Sequence, residues 1–326
     1  MLPFVFADTT QMGIVQPFGL LVAIGMAITD WQCTRRVALA GLSPAAYRSL
    51  RVWVLGLGFL ISHMLDELVC HPEAILKNPL SLLEIPNGLS SVGGFLGALA
   101  GGILWKFVTF EKKGFLYLPL LRKTPLQVLP YADVVLGIFP IGWAFGRAGC
   151  AIVHDHPGAF APKDAWLAVA WPASESDGVH HVLGPLHAVW GSVPRYDLGL
   201  LEMLFTIVLA SACVATWHRR MPTGTYVVVT SLAYGPVRFA MDFLRIEDEA
   251  NSDPRFLALT FAQWCSIALF FFGLAMLAYM RSRGTGSKPA YVAGAELLPV
   301  RLGGAIEQRE RDETGAAGAA RRHAGD

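Results

Sequence analysis

The sequence predicts an all-α polytopic membrane protein with about seven transmembrane helices, its N-terminus outside and its C-terminus cytoplasmic. Three observations carry that expectation. Of 326 residues, 54% are hydrophobic and only 16% are charged, against about 25% charged in an ordinary soluble domain. The charges cluster between long uncharged runs, and an apolar run of about 20 residues spans a bilayer as a helix. Lys and Arg also favour every second connecting segment, as cytoplasmic loops do. The formal net charge of +1 gives no electrostatic reason to expect nucleic acid or an acidic polymer as partner.

The expected spans run approximately Pro17–Cys33, Val52–Cys70, Gly88–Phe110, Val128–Val153, Leu198–Trp217, Gly224–Leu244 and Phe256–Met280. Helices are the economical choice because lipid leaves every backbone polar group to be satisfied internally. Met1–Gln16 lacks a basic region followed by a cleavage site, so Pro17 onward reads as a retained span. One set of loops carries Arg35, Arg36, Arg48 and Arg51, then Lys112, Lys113, Arg122 and Lys123, then Arg219 and Arg220, then Arg281, Arg283 and Lys288. The opposite set holds Lys77 alone, then Lys163 and Arg195, then Arg255 among acids. The first set is therefore assigned to the cytoplasm.

Within the third span, Gly93, Gly97 and Gly101 fall on one helical face, with Gly94, Ala98 and Gly102 beside them. That spacing permits close helix contact. With no strand before it and a spacing of four, it is not a nucleotide loop. The segment between spans four and five, residues 154–197, is rich in Pro, Gly, Trp and His. It is too long for a plain connector and is expected to be functional. Residues 1–283 form the expected membrane domain, and residues 284–326, rich in Ala, Gly, Arg and Glu, an expected disordered cytoplasmic tail. The five cysteines, Cys33, Cys70, Cys150, Cys213 and Cys265, are scattered and read as small buried hydrophobes rather than a disulfide frame or metal site.

Function concentrates in the stretch from Phe145 to Gly158, where a long apolar run ends in Arg147 and then Cys150, His154, Asp155 and His156. An arginine within a membrane-length segment costs roughly 2.5–3.5 kcal/mol on insertion scales and by default marks a function; the bland alternative is a side chain snorkelling from a helix end. The assigned orientation places Arg147, Glu202, and the pair Arg238 and Asp242 in the outer parts of spans four, five and six. His63, Asp66 and Glu67 of span two, with Ser90 and Ser91 of span three, reach the same level. Asp30 and Asp133, at the inner side, read as ordinary interfacial charges. Two arginines at headgroup depth suit the phosphate of a phospholipid, through charge-assisted and often bidentate hydrogen bonds. The competing reading is that each arginine pairs with Asp242 or Glu202 and only fixes helix packing.

From Pro17 to Met280 the sequence resembles the prolipoprotein diacylglyceryl transferase family. The family's Gly-Arg-x-Gly-Asn run, followed by a second Asn, a Glu and a Gly, appears as Gly146-Arg147-Ala148-Gly149-Cys150, then Val153, Asp155 and Gly158. Both asparagines are replaced, and Asp155 stands for the Glu. The His-Gly-Gly that opens span three is Val92-Gly93-Gly94, with Gly97 also matching, so the family's essential histidine is a valine here. Tyr-Gly in span one is Phe18-Gly19. In span six the Tyr-Gly-x-x-Arg motif is kept as Tyr234-Gly235-Pro236-Val237-Arg238, with Asp242 for Glu, and Leu198–Glu202 is a degraded form of the family's His-Pro-x-Gln-Leu-Tyr-Glu element.

The resemblance implies a bacterial inner-membrane enzyme. It would move the diacylglyceryl group of phosphatidylglycerol to the lipobox cysteine of a secreted prolipoprotein and release glycerol phosphate. Its partners would be that lipid, the prolipoprotein signal peptide and the bilayer, with no cofactor. The phospholipid site would comprise Arg147, Arg238, Tyr234, Gly93, Gly94, Gly146, Gly149, Gly158, Asp242 and Glu202. The attacking thiol, with an unperturbed pKa of about 8.5, needs a base. With valine at position 92, His154 or His156, oriented by Asp155, is the candidate. A zinc set of His154, His156, His180 and His181 lacks a ligand spacing, and no metal is expected. The rival readings are a related transferase with a changed donor or acceptor, favoured by Phe18, Val92, Cys150 and Val153, and a non-catalytic lipid-binding protein. A transporter is disfavoured, since polar residues stop near the outer half and no internal repeat is evident.

Overall fold

A helix that begins with Pro at its first position has a preset φ and loses no hydrogen bond there, and α1 (Pro17–Leu39) begins that way. The computed structural model describes residues 1–7, 16–70, 75, 78, 90–113, 116–173, 179–183, 186–219, 221–246 and 255–282. The expected tail, Lys77, Arg220 and the start of the third expected span lie outside the described residues. α1 continues past Cys33 to Leu39 because Arg36 sits in the last turn, where a cation complements the helix dipole, and packs 3.6 Å from the ring centre of Trp217. α2 (Pro44–Cys70) starts at Pro44 rather than Val52, with the Ser43 hydroxyl accepting from Ala46 N at 3.3 Å. Asp30 of α1 binds Arg51 at 2.5 Å and accepts from the Tyr47 hydroxyl at 3.1 Å, so it joins α1 to α2.

α3 (Ser91–Phe107) is capped by Ser90, whose hydroxyl accepts from Gly93 N. The glycine face expected in this helix lies against α2: a Cβ on Gly97 would overlap the Leu57 carbonyl, and one on Gly101 the Trp53 carbonyl. The helix stops at Phe107 rather than Phe110. There β2 (Val108–Lys113) and β3 (Leu116–Leu121) form an antiparallel hairpin, as β-branched and aromatic residues favour.

α4 (Val128–Val153) packs against α1, α5 (Leu198–Thr216) and α6 (Thr225–Met241). A short 3₁₀ turn, Asp242–Leu244, follows α6. α7 (Phe261–Ser282) starts later than the expected Phe256 because two short strands, β9 (Arg255–Phe256) and β10 (Leu259–Thr260), pair ahead of it. Asp133 corrects an expectation. It is fully buried and accepts from the backbone N–H of Tyr226 at 2.7 Å and Val227 at 3.2 Å. These are orphan donors at the start of α6, which has no side-chain cap of its own. Around it lies the core of Cys33, Val37, Trp105, Val134, Ile138 and Cys213.

The all-α expectation is also corrected. β1 (Leu2–Ala7) joins β4 (Pro157–Phe160), β5 (Val169–Trp171), β6 (Val179–Leu183), β7 (Leu186–Val189) and β8 (Val193–Asp197) in a six-stranded sheet of order β4-β8-β5-β1-β7-β6. β1 runs parallel to β5 and antiparallel to β7. The long segment between α4 and α5 is thus a sheet domain completed by the chain's first residues.

Among the described residues, five helices are long and apolar enough to cross a membrane: Pro44–Leu68, Val128–Val153, Leu198–Thr216, Thr225–Leu244 (including the 3₁₀ turn) and Phe261–Ser282. Ser91–Phe107 is a shorter apolar helix. Leu99, Val208 and Phe271 point outward from α3, α5 and α7, each more than half exposed, as side chains facing lipid do.

Candidate functional site

Arg147 lies one turn before the last on α4 and is 5% exposed. A guanidinium so far from water needs partners, and two come from neighbouring helices. Asp197 caps α5 by accepting from Leu200 N at 2.9 Å, which begins that helix where Glu202 faces α4. α6 brings Tyr234, and one turn further Arg238. One oxygen of Glu202 gathers them. Arg147 Nε lies 3.1 Å from Oε1, at an angle that makes an ion pair rather than a hydrogen bond. Trp143 Nε1 donates to the same oxygen at 2.9 Å, and the Tyr234 hydroxyl at 2.5 Å. Trp143 also lies under the guanidinium, 4.8 Å from its carbon. Arg147 Nη1 donates to the Cys150 sulfur at 3.5 Å.

A second pair stands beside the first. Arg238 Nη1 donates to Asp242 Oδ1 at 2.8 Å, and Arg245 Nε lies 2.8 Å from the same oxygen. The Thr260 hydroxyl donates to the other oxygen of Asp242, which is fully buried. Thr260 is held in turn by Gln263, whose side-chain oxygen accepts from Thr260 N at 2.9 Å. Arg238 follows Tyr234 by one turn of α6, so the helix that brings a donor to Glu202 also carries the second pair. A guanidinium carries five N–H donors. Carboxylates that each engage one edge position the arginines and leave donors for a bound anion.

The glycines divide. Gly149 is where α4 meets α1, since a Cβ there would sit 2.9 Å from the Phe18 ring. Gly158 packs against the Tyr196 and Leu244 carbonyls and pairs with Arg245 through an isolated bridge, joining the sheet to the turn that carries Asp242. Gly146 has open space where a Cβ would be, and Gly93 and Gly94 lie against Ile61 and Ser62 of α2. α3 reaches the cluster through Phe95, whose ring centre is 5.1 Å from that of Trp143.

The two histidines expected as bases have different surroundings. His154 is buried. Its Nδ1 is 2.6 Å from Asp197 and its Nε2 is 3.0 Å from the Val5 carbonyl oxygen. The ring stacks on Phe4 at 3.7 Å. It ties β1 to the ends of α4 and α5, and its carboxylate partner is Asp197, not Asp155. Asp155 pairs instead with His156, Nδ1 to Oδ1 at 2.5 Å, both partly exposed. His180 and His181 lie on β6, at the opposite edge of the sheet from β4.

Trp143, Asp197, Arg245, Thr260 and Gln263 were not singled out from the sequence. Trp143 and Arg245 carried a signal, standing one helical turn from Arg147 and Asp242. Thr260 and Gln263 reach the site only through the packing of α7 on α6.

The membrane-length helices and the buried arginine–carboxylate cluster between α4, α5 and α6 define a multi-pass helical membrane protein with a charged site at one end of its helices. The model of a family described as prolipoprotein diacylglyceryl transferase matches residues 9–279, and the chain belongs to that family. It is 27% identical over 276 residues to a phosphatidylglycerol–prolipoprotein diacylglyceryl transferase of Neisseria gonorrhoeae (strain NCCP11945), covering 80% of this chain and 89% of that protein. A protein of the same name from Janthinobacterium sp. (strain Marseille) is 27% identical over 268 residues, again covering 80% and 89%. One from Polynucleobacter necessarius subsp. necessarius (strain STIR1) is 30% identical over 236 residues, covering 71% and 74%.

Proposed function

We propose that this chain transfers the diacylglyceryl group of phosphatidylglycerol to the lipobox cysteine of prolipoproteins in the bacterial inner membrane. All seven helices span the bilayer, with the N-terminus outside and the C-terminus in the cytoplasm. The observation that carries the proposal is the junction of two arginine–carboxylate pairs, Arg147–Glu202 and Arg238–Asp242. In that reading the arginines bind the lipid phosphate by the edges their carboxylates leave available and stabilise the charge that grows as phosphate leaves. Tyr234 and Trp143 hold Glu202 in place, and Gly149 and Gly158 allow the close packing that sets the walls. The acceptor thiolate attacks the glyceryl carbon bearing the phosphate. Its proton is lost at the Asp155–His156 end of the site, while His154 positions the sheet.

Purified protein with phosphatidylglycerol vesicles and a lipobox peptide should release glycerol phosphate and lipidate the peptide. Arg147→Lys keeps the charge but loses the planar fork, and should lower the rate about 10²–10³-fold, the loss typical of a missing transition-state donor. Unchanged turnover in that variant would sink the proposal. A second reading, a transferase with a changed acceptor, is favoured by Val92, Cys150 and Val153 standing where the family has polar residues. It predicts glycerol phosphate release without peptide modification.

A further inference from the structure

Cys150, Asp155 and His156 meet where α4 ends. The helix stops at Val153, and His154 takes a left-handed conformation, φ 51° and ψ 37°. A residue with a Cβ holds that conformation only where its surroundings over-determine it, and Asp197, Val5 and Phe4 do so. The reversal folds the chain back over the last turn. It leaves the Cys150 sulfur, an Asp155 oxygen and a His156 ring nitrogen all within 4.8 Å of one another. A thiolate, a carboxylate and an imidazole are the three ligand kinds zinc accepts, and three protein ligands with a fourth position open is the pattern of its catalytic sites. The trio also sits at the negative end of a helix whose last turn carries no basic residue, which favours a cation.

We infer that Cys150, Asp155 and His156 form a zinc site whose open position takes the acceptor thiol. This role rests on the transferase reading above, and it supplies what Val92 cannot. A thiol with a pKa of about 8.5 is mostly protonated near neutrality, whereas a coordinated thiol is deprotonated outright. Zn²⁺ with the Cys150 thiolate and the Asp155 carboxylate is neutral, and an acceptor thiolate brings the site to one negative charge. Arg147, 3.5 Å from the Cys150 sulfur, offsets it. The acceptor thiol releases its proton to water on binding. Its sulfur then forms the S–C bond to the glyceryl carbon as the C–O bond to phosphate breaks, and that electron pair leaves on glycerol phosphate. The Asp155 and His156 side chains are partly exposed, so they can part from each other to accept the ion.

The full-length protein, purified in detergent and stripped by a chelator, is titrated with Co²⁺ as a spectroscopic substitute. One cobalt per chain is expected, with a thiolate-to-cobalt charge-transfer band that grows when lipobox peptide is added. Cys150→Ser should abolish the band and Cys265→Ser should keep it. His156→Ala should weaken cobalt binding at least tenfold, and because His156 is partly exposed this variant tests the site even if Cys150→Ser fails to fold. No band in the parent protein, or a band that survives Cys150→Ser, would overturn the site. Chelation should also lower peptide lipidation at least tenfold, with recovery on adding Zn²⁺; full lipidation by metal-free protein overturns the role. Metal bound with this signature but no lipidation under any condition would keep the site and refute the transferase reading instead.

Discussion

Three groups converge on one oxygen of Glu202: the Arg147 guanidinium as an ion pair, and the Trp143 indole and the Tyr234 hydroxyl as hydrogen-bond donors. At this depth the carboxylate and the guanidinium justify each other's burial, because an unpaired charge is the costly state. Arg147→Ala should therefore destabilise the protein by about 3–5 kcal/mol, the usual result of breaking a buried pair from one side. Adding Glu202→Gln to that variant removes the orphaned charge and should recover part of the loss, since coupled neighbours are not additive. Thermal unfolding in detergent reads both; strictly additive losses would show that the two groups do not act as a pair. Part of this was legible in the sequence, where Arg147 and Glu202 stood out as charged residues in apolar runs and Tyr234 belonged to the motif that resembles the family's. The roles of the two histidines were not, because burial of His154 depends on Phe4 and Val5, far away in the chain.

Among the elements, α6 depends on a neighbour for its start. Asp133, on α4, satisfies two of its first N–H groups, so the helix that presents Tyr234 and Arg238 is seated about 20 Å along α4 from Arg147, at 1.5 Å per residue. Asp133→Ala should cost roughly 0.5–2 kcal/mol, as cap losses do. It should also lower lipid binding through displacement of Arg238, although Asp133 touches neither arginine. A variant that unfolds at the parent temperature and binds lipid normally would contradict this linkage. The α2–α3 contact is simpler. Gly97→Leu forces a side chain into the Leu57 carbonyl and should separate the helices, whereas Gly19→Ala, with nothing within 4 Å of the new Cβ, should be neutral. Thermal unfolding separates the two cases. The glycine spacing made this contact readable in advance; the Asp133 cap was not, since a carboxylate near a helix start looks alike whether it faces water or a neighbour.

For the whole molecule, the proposed orientation puts the sheet outside and the turn between α5 and α6 in the cytoplasm. In a background without native cysteines, Lys163→Cys should react with an impermeant thiol reagent on intact cells. His218→Cys should react only after permeabilisation, and the reverse pattern would invert the topology. Hydrophobicity by itself determined that the chain is built of apolar helices and roughly where each lies, because that follows from local composition; it missed the polar ends of α1 and α2, which run on to Leu39 and back to Pro44. Only the tertiary structure decided that the first residues complete a six-stranded sheet, that Asp133 is a cap, that His154 is locked, and that Cys150 meets Asp155 and His156. The strands are short, and β1 pairs across more than half the described chain, so no local period announces them. Side chains that a backbone reversal brings together leave no mark in the order of residues.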